Sequence, residues 1–161
     1  MSDSKPTVVL VHGAFAESAS WNGVIDRLRA ERVPAIAVAN PLRSLPGDAA
    51  YLKDVLASVR TPVVLAGHSY GGMVITEAAA GRDQVAGLPE TFLIVDENDV
   101  LRDEGEAYGR KLTEAGVRTT TVRYDGTLHD FMMLNPVRGT AASAAAIAQA
   151  IHVLRQALHR S

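Results

Sequence analysis

The chain has 161 residues, 47% of them apolar and 21% charged, which suits one globular domain spanning 1–161 with a sizeable core and excludes an intrinsically disordered chain. Sixteen basic against eighteen acidic side chains leave a net charge of −2, too weak a field to gather nucleic acid or anionic lipid, so neither a nucleic-acid nor a membrane partner is expected. With no cysteine, disulfides, thiolate metal sites and thiol nucleophiles are excluded. The opening residues, MSDSKPT, carry neither the charged nor the apolar region of a secretion signal, and no apolar run approaches the roughly 18 residues of a membrane span. A cytoplasmic protein is expected.

Short apolar runs alternate with longer amphipathic ones, the pattern of an α/β fold in which a mostly parallel sheet of about five strands is flanked by helices. The first strand is expected at Thr7 to Val11, followed by a helix that carries Val24 and Leu28 four positions apart. A second strand, Ala35 to Ala39, leads to a helix with Leu52, Val55, Leu56 and Val59 at helical spacing, then to a third strand at Pro62 to Ala66 and a helical run from Met73 to Ala80. Small and polar residues fill Gly81 to Glu90. The fourth strand is expected at Thr91 to Val95, a helix at roughly Glu104 to Ala115 with Gly116 just past its end, and the fifth strand at Thr119 to Tyr124 with Gly126 in the following turn. An alanine-rich terminal helix aligns Ile147, Ile151, Leu154 and Leu158 in one stripe, expected to pack in the core. Strands so continuously apolar are expected to be buried on both faces.

The strongest chemical signal is Gly67-His68-Ser69-Tyr70-Gly71, set between an apolar strand and a helical run. This G-x-S-x-G pattern is a nucleophile elbow in its strand-turn-helix context. The serine must project from a very tight turn, and side chains two positions to either side would collide there, which Gly67 and Gly71 avoid. A serine hydroxyl is too weak an acid to attack alone; it needs a base, and the base needs a carboxylate to orient it. In the order Ser, acid, His, the base is read as His129, in Asp125-Gly126-Thr127-Leu128-His129 after the fifth strand, because His152 and His159 fall on the terminal helix. The acid candidates are Asp96, Glu97, Asp99 and Asp103, and geometry must choose among them. Asp96 and Glu97 end the fourth strand and Asp103 suits a helix N-cap, so Asp99, in the loop between, is preferred.

After the first strand, Val11-His12-Gly13-Ala14-Phe15 offers a backbone N–H at Ala14 that joins the one at Tyr70 as an oxyanion hole. His12 is read as pinning this loop by a hydrogen bond, and Trp21 and Tyr51 as packing residues. No His, Asp or Glu spacing suggests a metal site and no glycine-rich phosphate loop is found, so no cofactor is expected.

These residues carry a family resemblance: the chain resembles an α/β-hydrolase, in two pieces. Thr7 to about Gly81, with VVLVHGAFAESASW and VVLAGHSYGGMVI, resembles the plant-esterase and hydroxynitrile-lyase-like branch and its bacterial relatives. From about Asp83 onward, LPETFLIVDENDVLRDEGEAYGRKLTEAGV and VRYDGTLHDF resemble hormone-sensitive-lipase-like carboxylesterases. The second resemblance implies that Asp99 and His129 are the acid and histidine of the triad, and the first implies an oxyanion hole at Ala14 and Tyr70. It also implies an eight-stranded sheet with a cap after the sixth strand. Motifs for the first two strands, the sixth strand and the cap are missing here, and the seam between the branches lies near 81–90, as in a recombined or designed minimal hydrolase.

The expected function is therefore that of a serine carboxylesterase cleaving small, short-acyl esters through an acyl-enzyme. The alternatives are hydroxynitrile-lyase-like or perhydrolase chemistry on the same residues, and a catalytically silent scaffold or binding module. Absence of the outer strands leaves Ala35 to Ala39 as an apolar edge without an internal charge. A homodimer or larger homo-oligomer is expected from it.

Overall fold

The computed structural model of the protein describes residues 5–80, 85–86 and 88–159. The chain divides into two compact units whose boundary falls within 81–90, where 81–84 and 87 lie outside the described residues. The first unit is built from strand β1 (Thr7–Val11), helix α1 (Asn22–Ala30), β2 (Ala35–Val38), α2 (Leu45–Ser58), β3 (Val63–Gly67) and α3 (Tyr70–Ala80). The second is built from β4 (Thr91–Asn98), α4 (Arg102–Glu114), β5 (Thr119–Leu128) and helix α5 (Ala141–His159) as far as Gln156, the residues from Ala157 on grouping with the first unit. α3 and β4 are joined by residues 81–90 with no cap domain between them.

All five expected strands form and every ladder is parallel, hydrogen-bonded as two sheets: β2-β1-β3 and β4-β5. Burial on both faces holds for β1 alone, whose five residues are all buried. The expectation fails for the others because β2, β3, β4 and β5 each have a single ladder partner among the described residues, and each leaves residues partly in water. β2 is thus a sheet edge, with Ile36 39% exposed.

In the first unit Val9, Val11 and Val38 meet Ala49 and Leu52 of α2 and Val74 and Ala78 of α3 in one apolar cluster. α2 starts where Ser44, its N-cap, accepts from the Gly47 N–H, with proline in its first turn. The parallel register pairs Val11 with Val38 on one side and Gly67 on the other. The loops after β1 and β3 therefore leave the sheet at one level, the C-terminal end where open α/β sheets hold their ligands. In the second unit Val85, Leu112 and Val117 form the core, with Leu93 and Tyr108 packed on it. Gly116 has a φ of 80° just past α4, as a C′ glycine should.

Five local expectations change. β4 runs on to Asn98 and β5 to Leu128, because their ladder continues through Asp96↔Tyr124 and, after a shift of register, Asn98↔Leu128. Gly126, with a φ of 71°, lies in that irregularity inside the strand rather than in a turn beyond it. Asp103 is not the cap of α4: Leu101 holds that position, and Asp103 sits in the first turn paired with Arg102 at 2.8 Å. On α5, Ser143 and Ala146 are fully buried whereas Ile151 is exposed, so its buried line lies nearer the N-terminus than the large apolar side chains imply. Tyr51, read as a packing residue, is exposed on α2.

No helix among the described residues is long and apolar enough to cross a membrane. Leu52, 1% exposed at the centre of the first core, sets a test of this packing. Leu52→Ala is expected to lower stability by about 2–5 kcal/mol in urea titration, the cost of lost transfer energy plus a cavity.

Candidate functional site

Ser69 is the second of two residues between β3 and α3, and its φ of 54° puts it in the left-handed region that L side chains avoid. The turn is held by three backbone bonds: His68 N–H to Val11 O at 3.1 Å, Gly71 N–H to His68 O at 2.9 Å and Gly72 N–H to Ser69 O at 2.8 Å. A Cβ at Gly67 would lie 2.6 Å from the Gly71 carbonyl oxygen, and one at Gly71 would overlap the Val11 carbonyl and stand 2.8 Å from that of His12. Both glycines of the pattern are thus required by contact. The crossing is close enough to press α3 against the end of β1.

The loop after β1 runs directly against this turn, since a Cβ at Gly13 would stand 3.0 Å from the Ser69 Cβ. His12, buried at the strand end, pins that loop. Its Nε2 accepts the Asn40 N–H at 3.0 Å, which fixes the tautomer, and its Nδ1–H donates to Gly13 O at 2.8 Å. The ring therefore ties the end of β1 to Asn40, two residues past β2. Ala14 is exposed on the loop and Tyr70 opens α3, so the elbow and both residues named for the oxyanion hole belong to the first unit.

His129 and Asp99 belong to the second unit, and there the structure brings them together: Nδ1 of His129 lies 2.7 Å from Oδ2 of Asp99. The other carboxylate oxygen of Asp99 accepts the Leu101 N–H at 2.9 Å, and its side chain is 8% exposed. The geometry thus separates the four acid candidates. Glu97 turns to the neighbouring strand, accepting the Gly126 N–H at 2.6 Å, and Asp103 pairs outward with Arg102. Asp96 is buried beside Asp99 and His129, and ligand atoms of these three residues lie within 4.8 Å of one another. His152 and His159 are exposed on α5.

The three ionisable groups are driven apart. Burial pushes Asp96 up to about 6, reinforced by the negative charge of Asp99 and opposed by His129. Asp99 is buried too, which alone would raise it, but the Leu101 N–H and the hydrogen bond and charge of His129 hold it below the ordinary carboxylate value. For His129, burial acts downward, and the bond to Asp99 and the charges of Asp99, Asp130 and Asp96 outweigh it to give a raised value. At neutral pH the arrangement holds an ionised Asp99 against Nδ1 of His129, which favours a proton on that nitrogen, while Nε2 faces Asp130 at 3.7 Å.

Two supports have no signature in sequence spacing. The Glu97 contact joins β4 to the irregular stretch of β5, and Asp48 of α2 accepts the Tyr70 hydroxyl at 2.8 Å. Each links residues more than 20 positions apart that only the folded ladder or helix packing brings together.

A family model described as alpha/beta hydrolase fold matches residues 76–133. Protein R526 of Acanthamoeba polyphaga mimivirus is 66% identical over 50 residues, covering 31% of this chain and 14% of that protein. Carboxylesterase NlhH of Mycobacterium tuberculosis is 33% identical over 87 residues, 54% of this chain and 27% of that protein. Among solved structures, carboxyl esterase 2 of the mycorrhizal fungus Tuber melanosporum matches with a TM-score of 0.78 at 18% identity, over 98% of this chain and 80% of that one. The chain thus spans well under half the length of these curated relatives.

Asp96 gives a stability test. Its folded value of about 6 stands above the 3.8 of an unperturbed aspartate, so the folded state keeps a proton that the unfolded chain releases. That stabilising contribution is complete below pH 3.8 and is lost as pH rises through about 6. Asp96→Asn, which removes the buried charge, is expected to stabilise by roughly 2 kcal/mol at pH 7.5 and by little near pH 4, read from urea midpoints at the two pH values.

Proposed function

This chain has the α/β-hydrolase fold, and we propose that it is a serine hydrolase of the carboxylesterase type, acting on small, short-acyl esters. The observation that carries the reading is Ser69 held at a φ of 54° between a parallel strand and a helix, beside a loop whose backbone runs against it. A turn of this kind raises the hydroxyl clear of the backbone and aims the N–H groups at the start of α3, with the positive end of that helix, at a developing oxyanion.

In this mechanism Ser69 Oγ attacks the ester carbonyl while Nε2 of His129 accepts its proton. The tetrahedral oxyanion is held by the N–H groups of Ala14 and Tyr70. Collapse expels the alcohol, which takes the proton back from His129, and water then repeats the sequence on the acyl-enzyme to release the acid. Asp99, bonded to Nδ1 at 2.7 Å, fixes the tautomer and offsets the charge that forms on the ring. The short connection from α3 to β4, with no cap, favours an open site in which acetyl or butyryl esters with good leaving groups gain as much as longer chains do. No metal or cofactor has a step to perform.

Covalent labelling by a fluorophosphonate tests the reading directly. Stoichiometric modification at Ser69, lost in Ser69→Ala, is expected; a folded sample that takes up no label would mark a silent scaffold instead. Ester turnover should rise with pH as His129 loses its proton, with a midpoint above 6.5, since its value is raised. In Asp99→Asn the loss of the carboxylate charge is expected to move that midpoint downward and to cut kcat by about 10²–10⁴-fold. Asp96→Asn and Asp103→Asn should each retain most of the rate; a pattern in which either crippled turnover while Asp99→Asn left it intact would transfer the acid's role.

The edge position of β2 favours self-association of the chain through that strand. Light scattering on a size-exclusion column at micromolar concentration is expected to give at least a dimeric mass, and a sharp monomer would refute it.

A further inference from the structure

We propose that Asp48 and Tyr70 are a positioning pair that sets the elbow turn and the orientation of the residue-70 amide. The inference rests on the serine-hydrolase reading, to which it adds two side chains with no part in the triad.

Asp48 is 1% exposed, in the first turn of α2. Its Oδ1 accepts the Arg43 N–H at 3.2 Å, and its Oδ2 accepts the Tyr70 hydroxyl at 2.8 Å. A carboxylate so buried is costly where an apolar side chain would fill the same volume, and the positive end of α2 offsets only part of that cost. What the carboxylate gains is a fixed bond to the first residue of α3. Burial, followed by the bond and charge of Asp48, raises the Tyr70 phenol to about 12, so the hydroxyl stays a donor across the working range.

Tyr70 follows a residue in the left-handed region and precedes a glycine pressed on the end of β1. Its ring packs on the cluster of Val9, Leu52 and Val74, and its hydroxyl is tied to α2. The side chain is thereby anchored at both ends, and its backbone N–H is anchored with it. An oxyanion donor works only within a few tenths of an ångström of its correct distance, so a small rotation of residue 70 is felt in the rate before it is felt in the fold. Binding of the ester in its ground state depends far less on that N–H, which separates the effect on kcat from that on KM.

The test compares the whole chain with Tyr70→Phe, Asp48→Asn and the double variant in three measurements: the rate of fluorophosphonate labelling at Ser69, kcat and KM for an acetyl ester, and amide hydrogen exchange over 67–73 by mass spectrometry. Tyr70→Phe is expected to lower the labelling rate and kcat by about 10- to 100-fold with KM within about twofold, and Asp48→Asn, whose amide can still bond the phenol but not serve both of its partners as an acceptor, to lower them less. Exchange in 67–73 should quicken, and Asp48→Asn should have little further effect on the rates in the Tyr70→Phe background, where the bond it weakens is already absent. Tyr70→Phe, which removes one oxygen and keeps the ring, guards against a variant that fails to fold. Wild-type kcat, labelling and exchange in folded Tyr70→Phe would overturn the proposal and leave the hydrolase reading intact. Conversely, quickened exchange in the variants of a wild-type protein that never takes up the label would support the pair as a clamp on the turn and defeat the hydrolase reading.

Discussion

The contact on which the first unit depends is between Gly71 and the carbonyl of Val11. It lets α3 begin with only His68 and Ser69 between it and the end of β3 while resting on the neighbouring strand, and Ser69 takes up the tight reversal in the left-handed conformation. Such a residue costs on the order of 1–3 kcal/mol and persists only where its surroundings determine it fully. They do so here by the fully buried β1, by the register that pairs Val11 with Gly67, and by three short backbone bonds across the turn. Packing energy gathered along a whole strand is thus concentrated on one serine.

The second unit handles charge as the first handles shape. Two carboxylates and an imidazole are gathered at the ends of β4 and β5, where repulsion would prevent both acids from ionising freely. Burial without a backbone donor favours the neutral form of Asp96, whereas the Leu101 N–H and His129 favour the ionised form of Asp99. Neighbouring acids of the same residue type thereby titrate in different ranges, so that below about pH 6 Asp96 holds a proton while Asp99 is still ionised. The sorting is made by backbone geometry: Asp96 still belongs to the ladder, and Asp99 lies just beyond it.

Features written over a few consecutive residues were legible in the sequence. The elbow, its two glycines, the five parallel strands and the C′ glycine at 116 each have a local cause in sterics or periodicity. The preference for Asp99 came from loop position, and the structure bonds this residue to His129. What escaped depends on ladders and on distance. The extension of β4 and β5 is set by mutual pairing across charged residues that no strand pattern would include. The exposure of four strands follows from their having one neighbour each, which hydropathy along a single strand cannot express. Asp48 reads as an ordinary first-turn acid, and only the packing of α2 against α3 brings it to Tyr70.

The register shift in the β4-β5 ladder has a consequence for how the chain tolerates insertion and deletion. Between its last two pairings β4 advances from Asp96 to Asn98 while β5 advances from Tyr124 to Leu128, so β5 uses two residues more over the same span. The alternation of faces with a period of two does not carry through that span. Above it Val122 and Tyr124 are the more sheltered residues and Arg123 and Asp125 are exposed, whereas below it Thr127 is 6% exposed and Leu128 48%. The faces of β5 are thus exchanged around Gly126, whose φ of 71° is open to a residue without Cβ. A single insertion or deletion among Asp125, Gly126 and Thr127 would disturb that exchange and with it the approach of His129 to Asp99, in a segment whose composition alone reads as a permissive loop.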